Sequence, residues 1–184
     1  KMILDWRDFL RRAFEELDER AVPNLIVDVR GNSGGDNDVL AMLLDLLLPE
    51  PVELPAYREL VRYETVPERP DPFLDTWDPS FKDRRGQVKP VGEGFYAAID
   101  ASSEPVRVGG SDEAFSGRVF LLIDPSNSSA TFTLAQVLKD SGAATLVGEP
   151  TGGNRRGING GQMFFLRLPG SGIEADIPLI GYYP

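Results

Sequence analysis

The chain has 184 residues, 41% of them apolar, enough to bury one core, so a single domain is the expected count. It carries 19 Lys and Arg against 29 Asp and Glu, a net charge of −10; with no basic run interleaved with aromatics, this argues against a nucleic-acid or anionic-membrane surface. The absence of Cys and His excludes disulfides, Cys-based zinc sites, thiol catalysis and a Ser-His-Asp triad built from these residues alone.

From Asp5 to Arg20, apolar residues at Trp6, Phe9, Leu10, Ala13, Phe14 and Leu17 trace one face of an amphipathic helix, closed by Pro23. "LIVDV" (25–29) is a short β-branched run of the buried-strand type. "RGNSGGDN" then forms a glycine-rich loop, and "DVLAMLLDLLL" a mostly buried helix stopped by Pro49. The longest apolar run, "VLAMLLDLLL", is too short to span a membrane and is interrupted by Asp45. Residues 50–114 are rich in Pro, Glu, Arg and Asp with scattered aromatics, and predict an irregular but ordered insertion. Such an excursion serves as a lid, as an oligomer contact, or as neither.

A second strand, loop and helix follow: "RVFLLID" (118–124), "PSNSS" and "ATFTLAQVLKD", the helix ended by Gly142. "ATLVG" (144–148) is a further short strand, and "EPTGGNRRGINGG" a second glycine-rich loop. "QMFFLRL" and "IEADIPL" are expected strands joined at a "PGSG" turn. Repeated strand-loop-helix units predict a layered α/β fold with a mostly parallel central sheet. Loops 30–37, 124–130 and 149–161 would then emerge at the carboxyl ends of strands, where such sheets meet ligands. The abrupt "KMILDW" start and "GYYP" end are those expected of a fragment of a longer protein.

Three kinds of chemistry compete for these loops. Neither "GNSGGD" nor "TGGNRRG" has the spacing of a phosphate-binding glycine loop, and Arg155 and Arg156 beside glycines suit a solvated loop as well as an anion site. Asp36, Asn37 and Asp38 precede a helix and are read as caps rather than metal ligands; no cofactor and no metal are expected. The third is acyl transfer. A serine between a buried strand and a helix stands before backbone N–H groups that stabilise developing negative charge, and "GNSGG" offers a bare backbone for a second donor. Ser126, Ser128 and Ser129 are each, on these grounds, either a nucleophile or a cap.

Taken together, "LIVDVRGNSGG" and "LLIDPSNSSATFTLAQVLKDSGAATLVGEPTGGN" resemble the C-terminal processing, or tail-specific, serine peptidase family. The likeness covers about residues 24–48 and 117–180, and rests on the order and spacing of several motifs. It implies a ClpP/crotonase-like fold, hydrolysis of a peptide or protein substrate, and a periplasmic or extracellular location. By position, the resemblance makes Ser129 the nucleophile and the N–H groups of Ala130 and Gly34 the oxyanion donors, with Gly35 the neighbouring possibility. Asp140 matches an acidic residue at the end of the nucleophile helix that supports the site. Where the family usually has a lysine base, this chain has Asn154, which cannot accept a proton at neutral pH; Arg155 remains a candidate for a substrate carboxylate. One branch, resembling the tricorn core protease, pairs its serine with a His from an N-terminal segment. The expectation is therefore a serine peptidase core whose base lies on other sequence. The alternative is a non-catalytic ligand- or peptide-binding member of the fold; nothing here suggests the adenine or pantetheine site of an acyl-CoA enzyme.

Overall fold

The computed structural model describes residues 5–54, 56–100, 105–155 and 157–183. The first half of the chain runs α1 (Trp6–Glu19), β1 (Asn24–Asp28), α2 (Asn37–Leu47), β2 (Val52–Leu54), β3 (Arg58–Val61), β4 (Leu74–Thr76), β5 (Val88–Gly92) and β6 (Phe95–Ala98). The second half runs β7 (Val106–Val108), β8 (Arg118–Ile123), α3 (Ser129–Asp140), β9 (Ala144–Gly148), β10 (Ile158–Arg167) and β11 (Glu174–Tyr183). Where composition predicts one core, these elements form two compact units, Lys1–Pro55 with Pro105–Asn154 and Ala56–Glu104 with Arg155–Pro184.

In the first unit, β1, β8 and β9 make a parallel sheet in the order β1-β8-β9. Alternation along β8 turns Val119, Leu121 and Ile123 to the buried face, where they meet Leu44 and Leu47 of α2 and Leu134 and Leu138 of α3. Each such leucine, taken wholly out of water, contributes on the order of 2 kcal/mol. Phe14 of α1 closes the cluster edge-on to Phe115 at 6.5 Å, while Phe9, at the margin of the helical stripe, stays 51% exposed. Helix α1 starts at Asp5, whose carboxylate accepts the N–H groups of Arg7 and Asp8. The acid that interrupts the apolar run of α2 also has a structural partner: Asp45 Oδ1 accepts the Gly109 N–H at 2.9 Å, beside the short antiparallel pair β2-β7.

The strand register positions the loops. Asp28 lies opposite Leu122, and Ile123 opposite Gly148, so all three parallel strands end at the same edge of the sheet. The loops that begin at Val29, Asp124 and Glu149 therefore leave that edge together, as expected for strands joined by crossovers.

The second unit is an antiparallel sheet of six strands, β4-β10-β11-β3-β6-β5. Its core gathers Val61, Val88, Phe164, Leu179 and Ile180 around Tyr63, Phe81 and Tyr96. Tyr63 donates its hydroxyl to the Phe81 carbonyl at 2.8 Å, and burial pushes its pKa up to about 12.

This corrects two expectations. The segment 50–114 holds strands β2 to β7 rather than an irregular excursion, and the sheet that β3 to β6 join is antiparallel, so parallel pairing is confined to the first unit. These strands are only three to five residues long, three of them carry consecutive exposed residues, and β5 contains Pro90; such short runs give too little alternation for strands to announce themselves. With no crossover helix between them, neighbouring strands pair antiparallel.

Candidate active site

A single buried residue, through its side chain and its backbone, ties the loops at the sheet edge together. Asn127 is 0% exposed, and its Nδ2 donates to the carbonyls of Val29 at 2.6 Å and Asn32 at 3.0 Å. Its Oδ1 accepts the Asp124 N–H at 2.8 Å, and its backbone carbonyl accepts the Gly152 N–H at 3.0 Å. Asp124 adds a second tie, accepting the N–H groups of Gly31 and Ser126, each at 2.9 Å. Sequence reasoning missed both residues, because Asn or Asp just before a helix looks like an ordinary cap.

The three serines separate clearly. Ser126 sits in the turn built on Asp124. Ser128 is the extended N-cap of α3, and its hydroxyl donates across the site to the Ser33 carbonyl at 2.7 Å instead of capping its own helix. Ser129, the first residue of α3, is exposed and has φ of +50°, the left-handed conformation that a side chain adopts only at a cost of about 1–2 kcal/mol. Its hydroxyl has no hydrogen-bond partner among the described residues. The next amides, of Thr131 and Phe132, both donate to the Ser128 carbonyl, which leaves the Ala130 N–H among the unsatisfied groups of the first turn.

The glycine loop comes close to this turn. A Cβ built on Gly34 would lie 2.6 Å from Ser129 Cβ, 3.0 Å from the Ser128 carbonyl oxygen and 3.3 Å from the Ala130 nitrogen. Only glycine tolerates this approach, and with φ of +113° only glycine suits the backbone there. Gly34 donates its own N–H to Asn32 Oδ1 at 2.9 Å, whereas a Cβ on Gly35 would meet nothing within 4 Å. Thus Ser129, Ala130, Gly34 and Gly35 fall together in one unit.

Asp140 is at the other end of α3, roughly 16 Å along the helix axis from Ser129. There it borders a groove with Val52, Leu54 and Val137. Asn154 is exposed at the end of the Glu149 loop, which the Gly152 bond and Gly153 hold against α3: a Cβ on Gly153 would strike the Phe132 ring at 2.2 Å. Arg155 is exposed and belongs to the second unit, and Arg156 lies outside the described residues. Asp36 caps α2 by accepting the Asp38 N–H at 2.7 Å, and Asp38 pairs with Arg7 at 2.9 Å. Among the described residues, no cluster of three acids or other ligands is disposed to hold a metal, and no helix is long and apolar enough to cross a membrane.

At the mouth of the glycine loop, Arg30 grips Asp28 through two parallel bonds of 2.9 and 2.7 Å. These bonds, with the Arg30 backbone N–H, hold the Asp28 carboxyl at a pKa of about 2. Chemically, the arrangement offers an exposed hydroxyl on a strained turn, with orphan amides beside it.

The sequence profile of peptidase family S41 matches residues 1–174. No curated protein sequence matches the chain. Among solved structures, the photosystem II D1 C-terminal processing protease matches with a TM-score of 0.53 at 18% identity, covering 96% of this chain and 34% of its own. Mature CPAF matches with a TM-score of 0.57 at 19% identity, covering 96% of this chain and 38% of its own. Mature CPAF complexed with lactacystin matches with a TM-score of 0.55 at 18% identity, over 99% and 38% of the two chains. At these identities the likeness establishes the fold, and the chain spans little more than a third of each structure.

Proposed function

The chain belongs to peptidase family S41, a family of serine-type peptidases, and on that premise we propose that it is the core of a serine peptidase whose nucleophile is Ser129. The observation that carries this is the left-handed, exposed Ser129 at the start of α3, pressed against Gly34. A turn of this kind holds a hydroxyl forward of the helix amides at a cost that a mere cap would not require.

In this reading, Ser129 Oγ attacks the scissile carbonyl of a peptide or protein substrate. The carbonyl oxygen becomes an oxyanion held by the Ala130 N–H and a glycine amide of the 30–37 loop. Collapse breaks the C–N bond, the amine leaves with a proton, and water releases the acyl group from Ser129. The proton acceptor is proposed to lie on sequence beyond these 184 residues, because they contain no His and carry Asn154 where the family usually has lysine. The parallel sheet with α2 and α3 is taken as the ClpP/crotonase-like layer of the fold, C-terminal processing is the proposed activity, and a periplasmic or extracellular location is proposed with it. Asp140 stands at the far end of α3, the helix that Ser129 opens, and its proposed role is to support the site from there. Asn154 also favours a second reading, a member of the family that binds peptide without cleaving it.

The deciding experiment is labelling of the full-length protein with a fluorophosphonate. Covalent modification confined to Ser129, and absent from Ser129→Ala, is expected. Equal labelling of the Ser129→Ala protein would sink the assignment, and a full-length protein that binds peptide but never labels would select the second reading.

A further inference from the structure

We propose that Asn32 is the positioning residue of the oxyanion hole and that it assigns the second donor to Gly35 rather than Gly34. The inference rests on Ser129 being the nucleophile.

Asn32 Oδ1 accepts two bonds at once, from the Gly34 N–H at 2.9 Å and from Thr131 Oγ1 at 3.0 Å. One oxygen atom therefore joins the glycine loop to the first turn of the helix that Ser129 opens. Both its lone pairs are used, so the geometry of one element fixes that of the other. Asn32 is itself held by its backbone: its N–H donates to Val29 at 3.1 Å, and its carbonyl accepts from the buried Asn127 at 3.0 Å. Thr131 is only 7% exposed, so losing this acceptor would strand its hydroxyl away from water.

The consequence for the hole follows from counting protons. An amide N–H has one hydrogen, and that of Gly34 is aligned on Asn32. The Gly35 N–H is the next donor along the loop, and no acceptor among the described residues engages it. The Ala130 N–H is likewise unengaged. Gly34 then serves by having no side chain: it lets the loop pass Ser129 at a distance a Cβ would forbid, and its neighbour supplies the proton.

Amide exchange on the ¹⁵N-labelled full-length protein tests the clamp without any chemistry at Ser129. The Gly34 amide should be protected, while those of Gly35 and Ala130 exchange freely. Asn32→Ala should raise Gly34 exchange by about tenfold or more, and Asn32→Asp, whose carboxylate accepts the same bonds, should keep the protection. After fluorophosphonate modification of Ser129, the phosphonyl oxygen stands in for the oxyanion. The Gly35 and Ala130 amide protons should then move downfield while that of Gly34 stays in place, a signature that a purely structural role for Asn32 would not produce. Gly34 exchanging as fast as Gly35, or Gly34 shifting in place of Gly35 in the adduct, overturns the inference and leaves the nucleophile assignment standing. Absence of any adduct in the full-length protein overturns the nucleophile assignment, and the inference with it.

Discussion

Gly34 and Ser129 share a contact that only glycine permits at position 34: one methyl group added to Gly34 would stand 2.6 Å from the serine's Cβ. The approach joins two loops separated in sequence by the first segment of the second unit, Ala56–Glu104, and it is what turns a capped helix into a candidate catalytic turn. Its first consequence is a contrast between adjacent glycines. Gly34→Ala combines a strained φ with overlap against Ser129 and the Ser128 carbonyl, and should destabilise the chain by about 2–4 kcal/mol. Gly35→Ala meets open space and should stay within about 0.5 kcal/mol of wild type. Urea denaturation of the two variants checks the contrast, and equal midpoints would refute it.

The backbone at Ser129 predicts an inversion of the usual order of helix formers. Alanine normally exceeds glycine in a helix, but at φ of +50° glycine avoids the left-handed penalty. Ser129→Gly should therefore be more stable than Ser129→Ala by about 1 kcal/mol. Thermal unfolding of both variants gives the comparison, and the ordinary ranking would show that the strain is absent.

Asn127 should be among the most sensitive polar positions. Asn127→Ala removes the partner of two carbonyls and one N–H in a buried place, which costs about 3 kcal/mol and loosens the tie between the Val29 and Asp124 loops. Faster amide exchange at Gly31, along with the loss of stability, is the expected result, while Gly152 keeps its backbone acceptor at position 127. Unchanged exchange at Gly31 would show that the ties are independent.

The Asp28–Arg30 pair sets a pH signature. The folded-state pKa of Asp28, about 2, lies below the ordinary aspartate value of 3.8, so its contribution is present above pH 4 and is lost as pH falls from there toward 2. The pair is exposed, so the effect on overall stability is small, and the carboxyl itself is the better reporter. Its ¹³C resonance should titrate near 2 in the wild type and move up toward 3.8 in Arg30→Gln. An unchanged midpoint in the variant would show that arginine is not the cause.

Asn154→Lys restores the residue type the family usually places in this loop. If the Glu149 loop presents position 154 to Ser129, the variant should label with fluorophosphonate at least about tenfold faster, and increasingly so as pH rises and the amine loses its proton. A flat, unchanged rate would place position 154 out of reach of the hydroxyl.

Much of the first unit was legible because its signals are local. The stripe from Trp6 to Leu17 gave α1, the β-branched runs gave β1, β8 and β9, and Gly142 ended α3. Strand-helix alternation was also enough to send three loops to one sheet edge. In the second unit "QMFFLRL" and "IEADIPL" marked β10 and β11, but the short strands β3 to β6 were not legible, because brief antiparallel runs with exposed residues, one of them holding Pro90, leave no period and their partners lie far along the chain.

For the site, the sequence by itself determined which residue types stand where: a serine before a helix, glycines after a strand, an asparagine in place of a basic residue, and no histidine at all. Local preference and motif order are properties of neighbouring residues, so they survive without coordinates. Tertiary structure alone decided that Ser129 is left-handed while Ser128 takes the cap, that Gly34 passes within contact of it, and that Asn32 and Asn127 hold the loops. Those facts depend on groups more than ninety residues apart meeting at distances of about 3 Å, and only the paired strands of the sheet bring them there.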